Sequence, residues 1–350
     1  MATFESVLQV KRKLASKLLK RKGIYGVGVG FKNPANPKQG AALIIYANQA
    51  AAVRLGTRGS KFSAVSKGKT LTVPVRIVRC GKCKANANYR RRIRPVQPGY
   101  SVGTTDGSGS AGLIVRGASS SSRRLYLLSN NHVLNPDNTG GRIATIQPGG
   151  SDGGSSKRDR IGRLYCYVRL NPDGDNMIDA AITIPARRNL LNPKYPTVGA
   201  IPGHVTSYRV GDRLKKVGRT TGLRYGTVES VNTDLTINYG GRLGDLKFVD
   251  QTVISGSRPV SLPGDSGSVW LRRSDNAAAA VNFAGSDDGR MSIAFPIHWA
   301  MQAFGVRVAR PGNRAGAVKR AVRGRSSGSR TRQLTAKELM RFKPRTVRGQ

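Results

Sequence analysis

The chain has 350 residues, and 60 Lys and Arg against 18 Asp and Glu give it a formal net charge of +42 at pH 7. This length is enough for one large domain or two ordinary ones with a sizeable core. Most of the charge must face solvent, because burying unpaired charge is costly. Such a surface attracts polyanions such as nucleic acid, anionic membranes or acidic proteins, although a basic surface that only maintains solubility explains the charge as well.

The apolar pattern argues against two classes of protein: those with a transmembrane span and those with a secretory signal peptide. No apolar run is long enough to span a bilayer, and basic residues between Val10 and Lys22 interrupt any secretory h-region. Three cysteines, Cys80, Cys83 and Cys166, are too few for a disulfide framework and favour a reducing compartment. We therefore expect a cytoplasmic protein; organelle import stays open, because the basic N-terminal segment has the composition of a transit peptide.

The two closest cysteines, Cys80 and Cys83, have the spacing of metal ligands. A zinc site needs two further ligands, which Cys166 and His204 supply only if the fold brings them close. Free thiols are the simpler interpretation. We expect no metal and no other cofactor.

The first part of the chain predicts a small α/β domain over residues 1–95. Apolar residues at helical spacing indicate a basic amphipathic helix, three strand-like runs follow, and an Arg-rich connector closes the segment. The helix is expected at 4–21, the strands at 23–31, 41–46 and 71–78, and the connector at 89–95.

The middle of the chain, residues 96–310, contains many short strand candidates separated by turn residues. Examples are 113–115, 125–128, 178–182, 226–231 and 269–271, and a short closing helix is expected at 296–304. This spacing is typical of a β-sandwich or a pair of β-barrels. The two barrels would cover about 96–200 and 201–310.

Beyond Arg310 the composition changes to Gly, Ser, Arg and Lys with few apolar residues. Residues 311–350 are therefore expected to form a basic, largely disordered tail. Thr335 and Glu338 have the spacing of a capping box, which predicts one short helix over 336–342.

The sharpest chemical motif is Pro263-Gly-Asp-Ser-Gly-Ser268. A serine nucleophile attacks from a tight turn with backbone N–H groups beside it to hold the developing oxyanion. Gly264 allows the turn and Gly267 removes bulk, so the expected donors are the N–H groups of Gly264 and Ser266. Taken alone, the motif is equally compatible with an ordinary β-turn.

A nucleophilic serine needs a base, and the chain has three histidines: His132, His204 and His298. His132 lies at the end of an apolar run followed by a loop, where a base is rigid and reaches solvent. His298 lies in the closing helix, where a packed or capping residue is the simpler interpretation. The residues around His204 indicate a loop. His132 is therefore the candidate base.

The base needs a buried carboxylate that fixes its tautomer. Asp179 is an acid within the apolar run Met177-Ile-Asp-Ala-Ala-Ile182. An edge-strand acid paired with an arginine is the alternative interpretation. Because acids are scarce in this chain, one inside an apolar run favours a specific role.

The order His132, Asp179, Ser266, with separations of 47 and 87 residues, matches the order in chymotrypsin and differs from subtilisin and the α/β-hydrolases. Asn131-His-Val-Leu134, Asp179-Ala-Ala181 and Gly264-Asp-Ser-Gly267 resemble the three catalytic motifs of trypsin-like serine peptidases. The resemblance implies a chymotrypsin-like double β-barrel. We therefore expect a serine endopeptidase that needs no cofactor and acts on protein or peptide substrates.

Further stretches resemble bacterial members that carry an extra N-terminal domain, a lineage that includes a plant narrow-leaf regulator. These are Lys216 to Val228, the Gly-Val-Gly-Val-Gly run that ends at Gly30, and Arg94 to Ser101. The resemblance covers residues 10–308. Unlike secreted animal members, the chain has neither cysteines beside the motifs nor an activation sequence, so Asp265 must find another partner. We predict activity without zymogen cleavage.

The resemblance also places the specificity pocket. Val260, six residues before the nucleophile, would form the pocket floor, and Phe283, Ala284 and Gly285 would form the wall that pairs with the substrate backbone. A neutral floor predicts a small or medium apolar P1 residue. Asp287 and Asp288 follow the wall and could add a negative rim.

An alternative function is polyanion binding on a peptidase scaffold, with catalysis secondary or lost. The basic tail and the Arg-rich connector would then neutralise phosphates and release counterions. Few aromatic residues accompany the basic runs, so base stacking is not expected. The two functions are compatible, because a tail can tether a working peptidase to a polyanion.

Overall fold

The computed structural model describes residues 1–56, 61–66, 68–81, 88–119, 121–320 and 329–347. The chain divides into two compact units, Met1–Asn86 and Ala87–Gln350, which are described separately. In the part of the chain that is described, no helix combines the length and the apolar character needed to cross a bilayer.

In its described residues, the first unit is a four-stranded sheet with two α-helices. Its elements are α1 (Phe4–Leu19), β1 (Ile24–Phe31), β2 (Ala41–Ala47), α2 (Gln49–Leu55), β3 (Lys61–Ser66) and β4 (Lys69–Arg79). The strand order is β1-β2-β4-β3, with β2 and β4 parallel. Helix α1 starts at a capping box made by Thr3 and Ser6 and buries Val7, Val10 and Leu18. The predicted α/β character of this segment is confirmed.

The second unit begins with a largely antiparallel sheet. Its elements are β5 (Ser101–Gly103), β6 (Ser108–Ser110), β7 (Leu113–Gly117), β8 (Leu125–Ser129), α3 (Asn131–Leu134), β9 (Ala144–Ile146), α4 (Ser156–Asp159), β10 (Arg160–Tyr167) and β11 (Ala181–Pro185). The strands follow the order β7-β8-β11-β10-β9-β5-β6. The apolar run of β8 is buried along its whole length, which fixes the position of the α3 turn that follows it.

A second sheet follows after the small ribbon β12 (Lys194–Tyr195) and β13 (Gly199–Ala200). Its elements are β14 (Gly203–Val205), β15 (Arg213–Gly218), β16 (Gly222–Asn238), β17 (Asp245–Ser255), β18 (Val269–Arg272), β19 (Ala278–Gly285) and β20 (Met291–Pro296), and helix α5 (Ile297–Phe304) comes next. The strand order is β18-β15-β16-β17-β20-β19, and β18 also pairs with β19. These six strands therefore close into a barrel. The predicted mostly β class is confirmed.

The C-terminal segment adds strands to both sheets. Its elements are β21 (Val306–Arg310), β22 (Arg314–Ala315), β23 (Ala317–Lys319), α6 (Ala336–Arg341) and β24 (Arg345–Thr346). Strand β21 pairs with β7, β23 with β14, and β24 with β10. Helix α6 begins at the predicted capping box of Thr335 and Glu338.

The expectation of a largely disordered tail is wrong for the described residues 311–320 and 329–347. Leu334 and Phe342 are buried in the core of the second unit. Arg332 pairs with Asp250 and Glu338, both at 2.6 Å. Two apolar anchors, a paired arginine and the strand pairings of β23 and β24 therefore hold the described part of this segment against the second unit.

Candidate active site

The three residues of the predicted triad come together where the two sheets of the second unit face each other. His132 lies in α3, directly after β8, and Ser266 lies in the turn between β17 and β18. Both line one open cleft of about 560 Å³. Asp179 lies two residues before β11, and not within a strand as expected, because β11 begins only at Ala181.

Asp179 is fully buried and holds the His132 ring through a short hydrogen bond. Its Oδ2 lies 2.5 Å from Nδ1 of His132, whose side chain keeps 25% of its surface exposed. The other oxygen, Oδ1, accepts the backbone N–H groups of Asn131 at 2.7 Å and His132 at 3.3 Å. A carboxylate in this position keeps the proton on Nδ1 and leaves Nε2 free to accept one.

The Ser266 hydroxyl donates to the carbonyl oxygen of Phe283 at 3.2 Å in this structure. It lies in the same cleft as His132 but is not hydrogen-bonded to it. His132 and Ser266 therefore line one cleft without a hydrogen bond between them in this structure.

Two backbone N–H groups of the serine turn are candidate oxyanion donors. Within the described residues, the N–H groups of Gly264 and Ser266 have no acceptor, whereas Asp265 N donates to Leu262 O at 2.9 Å and Gly267 N donates to Asn282 O at 2.9 Å. Gly264 has a φ of +93°, a conformation that side chains other than glycine rarely adopt. Unpaired N–H groups are uncommon in folded chains, so these two are suited to receive an anion.

Both sheets hold the serine turn in place. From β6, Ser110 donates its backbone N–H to Ser266 O at 2.7 Å and its hydroxyl to Gly264 O at 3.0 Å. From the second sheet, the Thr220 hydroxyl donates to Pro263 O at 2.7 Å. The geometry of the turn is thus fixed from two sides.

Asp265, for which the sequence offered no partner, forms a buried ion pair with Lys216 of β15. The distance from Nζ to Oδ2 is 3.3 Å, and both side chains are completely buried. Burial alone raises the pKa of Asp265, but the Lys216 ammonium and hydrogen bonds from Thr221 and Leu262 outweigh it and lower that pKa below its ordinary value. Position 218 must be glycine here, because a Cβ would collide with the Asp265 carboxylate.

Tyr239 is a site residue that the sequence analysis missed. It follows the last residue of β16, and its hydroxyl donates to Oδ2 of Asp179 at 2.7 Å. No motif surrounds it. The only signal was the length of the alternating run that precedes it, which is long enough to carry a hairpin tip across to the other sheet.

The pocket residues divide into two groups. Phe283, Ala284 and Gly285 line the cleft, together with Ser261 and Asp287. Val260 does not: it is 1% exposed and packs with Trp270 and other core residues. Its backbone N–H donates to Gly289 O at 2.7 Å, and the next residue, Ser261, lines the cleft in its place.

Among the described residues, the candidate metal ligands belong to no cluster that could hold a metal. Cys80 and Cys166 are free thiols, and Cys83 lies outside the described residues. Nε2 of His204 lies 3.0 Å from Nδ1 of His298, so its neighbour in the second unit is a histidine. Within the described ranges, no three His, Cys, Asp or Glu side chains cluster as a metal site would require.

Comparison with known proteins gives likenesses in structure only. No family model and no curated protein matches the chain. A serine protease specific for glutamic acid is 20% identical over 61% of this chain and 100% of its own, with a TM-score of 0.43. Protease A of Thermobifida fusca is 18% identical over 61% and 97% (TM-score 0.42), and a chymotrypsin of Cellulomonas bogoriensis is 21% identical over 61% and 98% (TM-score 0.42).

Proposed function

We propose that this chain is a trypsin-like serine endopeptidase in which Ser266 is the nucleophile, His132 the general base and Asp179 the orienting acid. The observation that carries the proposal is the 2.5 Å contact between His132 Nδ1 and the buried Asp179, in the cleft that also contains Ser266. A base held by a buried carboxylate beside a serine is the arrangement that nucleophilic acyl transfer requires.

The proposed reaction begins when the Ser266 hydroxyl turns from Phe283 O toward His132. Nε2 of His132 takes the hydroxyl proton while Oγ attacks the carbonyl carbon of the substrate. The negative charge that develops on the carbonyl oxygen is received by the N–H groups of Gly264 and Ser266, which have no other acceptor among the described residues. His132 then protonates the leaving amine, and water hydrolyses the acyl-enzyme by the same steps in reverse.

The active site is proposed to form without proteolytic processing. A turn that carries an acid next to the nucleophile needs a cation to hold that acid inside the protein. Lys216 supplies this cation from within the chain, at 3.3 Å from Asp265. No newly formed N-terminus is needed.

The experiment that tests the nucleophile assignment is covalent labelling with a fluorophosphonate probe. The wild-type protein is expected to be labelled at Ser266, and Ser266→Ala to lose the label. Ser261→Ala is the matched control, because Ser261 lines the same cleft and is expected to leave the labelling intact. Labelling of Ser266→Ala at the wild-type rate, or no labelling of the wild type, contradicts the proposal.

A further inference from the structure

The hairpin of β16 and β17 crosses from the second sheet to the acid of the first. Its outer half pairs Leu235 with Phe248 and Asn238 with Asp245. The tip is closed by a hydrogen bond from Tyr239 N to Gly244 O at 2.8 Å. Tyr239 is therefore the residue at which the ordered ladder ends and the turn begins.

The Tyr239 side chain is fixed on three sides. Its hydroxyl donates to Oδ2 of Asp179 at 2.7 Å, the same oxygen that contacts His132. Its ring stands edge-on to the His132 ring at 5.5 Å and stacks on Phe248 at 5.9 Å. These contacts leave the phenol one orientation, in which it completes the polar surroundings of the buried acid.

The chemistry of this hydroxyl makes it a permanent donor. Burial of the hydroxyl, and next the neighbouring Asp179 carboxylate, raise the pKa of Tyr239 well above its ordinary value. The phenol therefore keeps its proton at neutral pH. A hydrogen bond to an ionised acceptor is about twice as strong as one between neutral groups, so it constrains the carboxylate efficiently.

The same segment also forms a wall of the cleft. Thr236, Ile237, Asn238 and Tyr239 line it together with His132 and Ser266. A peptide bound along this wall contacts the strand that positions the acid. The hairpin thus links the place where substrate lies to the side chain that orients the base.

We propose that Tyr239 is a positioning residue of the hydrolysis proposed above: its hydroxyl fixes the Asp179 carboxylate, and through it the His132 ring. This inference rests on the proposed function for its kinetic consequence but not for its structural one. Tyr239→Phe keeps the ring contacts with His132 and Phe248 and removes only the donor. Asp179 Oδ2 then loses one of its two partners, and the carboxylate gains freedom to rotate.

The matched control is Tyr167→Phe, because the Tyr167 hydroxyl donates to Thr139 O at 3.2 Å and neither residue lines the cleft. For a peptide that the wild type cleaves, Tyr239→Phe is expected to lower kcat about tenfold, the size of one lost hydrogen bond to a charged group. KM is expected to stay within about twofold, because the hydroxyl does not bind substrate. Tyr167→Phe is expected to change neither constant.

A second measurement does not depend on activity. The proton on Nδ1 of His132 gives an NMR signal that reports its bond to Asp179, and this signal is expected to shift in Tyr239→Phe and to stay unchanged in Tyr167→Phe. An unchanged signal together with an unchanged kcat overturns the positioning role, and so does an equal response in both variants. If the wild type cleaves nothing, the proposed function fails and the NMR signal alone decides the role of Tyr239.

Discussion

Lys216 and Asp265 form an ion pair at 3.3 Å in which neither side chain has any exposed surface. The Lys216 ammonium also lies over the Trp270 ring, 5.6 Å from its centre, and donates to the Thr221 hydroxyl at 3.2 Å. The pair thus joins β15 to the turn that carries Ser266. Its position makes it the internal support of the proposed nucleophile.

Removing one member of this pair is expected to destabilise the protein strongly. Lys216→Met leaves a buried carboxylate without a counter-charge, which typically costs about 3–5 kcal/mol. Lys215→Met is the matched control, since Lys215 is the next residue of the same strand and is only partly buried. Urea denaturation measures the difference; a loss of stability no larger in Lys216→Met than in Lys215→Met would argue against the support role.

The double variant Lys216→Met with Asp265→Asn tests the same pair from the other side. Because it removes both charges, it is expected to recover part of the lost stability.

The pair also predicts that labelled, active protein has the mass of the uncut expressed chain. N-terminal sequencing that showed obligatory cleavage near residue 100 would refute activity without processing.

His204 is expected to make stability depend on pH. Burial, followed by the neighbouring His298 and Arg307, lowers the pKa of His204 to about 4. The folded state therefore keeps this histidine neutral, while the unfolded state takes up a proton below pH ~6.5. Stability from this group is complete above that pH and is lost as the pH falls toward 4, by up to about 3 kcal/mol.

Denaturation of wild type and His204→Leu at pH 7.5 and pH 5 checks this pH dependence. The wild type is expected to lose more stability between the two pH values than the variant, because carboxylates act equally in both. Identical losses in the two proteins would show that His204 takes no part in the pH dependence.

The protein is expected to prefer substrates with an uncharged residue at P1. The cleft is lined by Ala284, Gly285 and Ser261, and by Asp287, whose side chain is exposed. We expect profiling with a peptide library to give a small or medium apolar P1 residue. A strict preference for Arg or Lys that disappears in Asp287→Asn would show that the rim acid, and not the pocket wall, selects the substrate.

Polyanion binding, the alternative function, stays a prediction, and the structure offers one groove in which to test it. Arg142, Arg160 and Arg163 line an open groove of about 470 Å³ that has no acid among its lining residues. A bulge between Arg160 and Gly162 brings the two strand arginines to the exposed face. Arginine forks suit phosphate oxygens, so a nucleic-acid backbone is the expected ligand.

The groove is tested with Arg160→Gln combined with Arg163→Gln. Affinity for a 20-nucleotide DNA is expected to fall, and the slope of log affinity against log salt to decrease by about 2, one for each phosphate contact. Arg213→Gln with Arg258→Gln removes the same charge from the region of the second sheet. Equal effects of the two pairs would mean that net charge alone attracts DNA.

The sequence alone was sufficient to predict the features that depend on short motifs and on local apolar periodicity. The motifs around His132 and Ser266 could be read because the proposed chemistry needs those residue types in that order, and α1 and β2 followed from their apolar periodicity. Lys216 begins the stretch Lys216 to Val228, whose resemblance to bacterial members was noted from the sequence. Its pairing with Asp265, however, depends on how two distant segments pack. Tyr239 was out of reach for the same reason, since 60 residues separate it from Asp179.

Two of the predictions that the structure contradicts failed for identifiable reasons. Val260 was placed by counting residues from the nucleophile, but a count does not show which way a turn presents its side chains. The tail was judged by average composition, which gives little weight to single anchors such as Leu334 and Phe342. In both cases the missing information was tertiary.

The most direct test of the account is hydrolysis of a peptide library by the purified chain, with Ser266→Ala prepared in parallel as the blank. New peptide ends are expected with the wild type and none with Ser266→Ala, and His132→Ala is expected to match the blank closely. Identical cleavage by wild type and Ser266→Ala, or a wild type that leaves every peptide intact, would contradict the assignment of this chain as a serine endopeptidase.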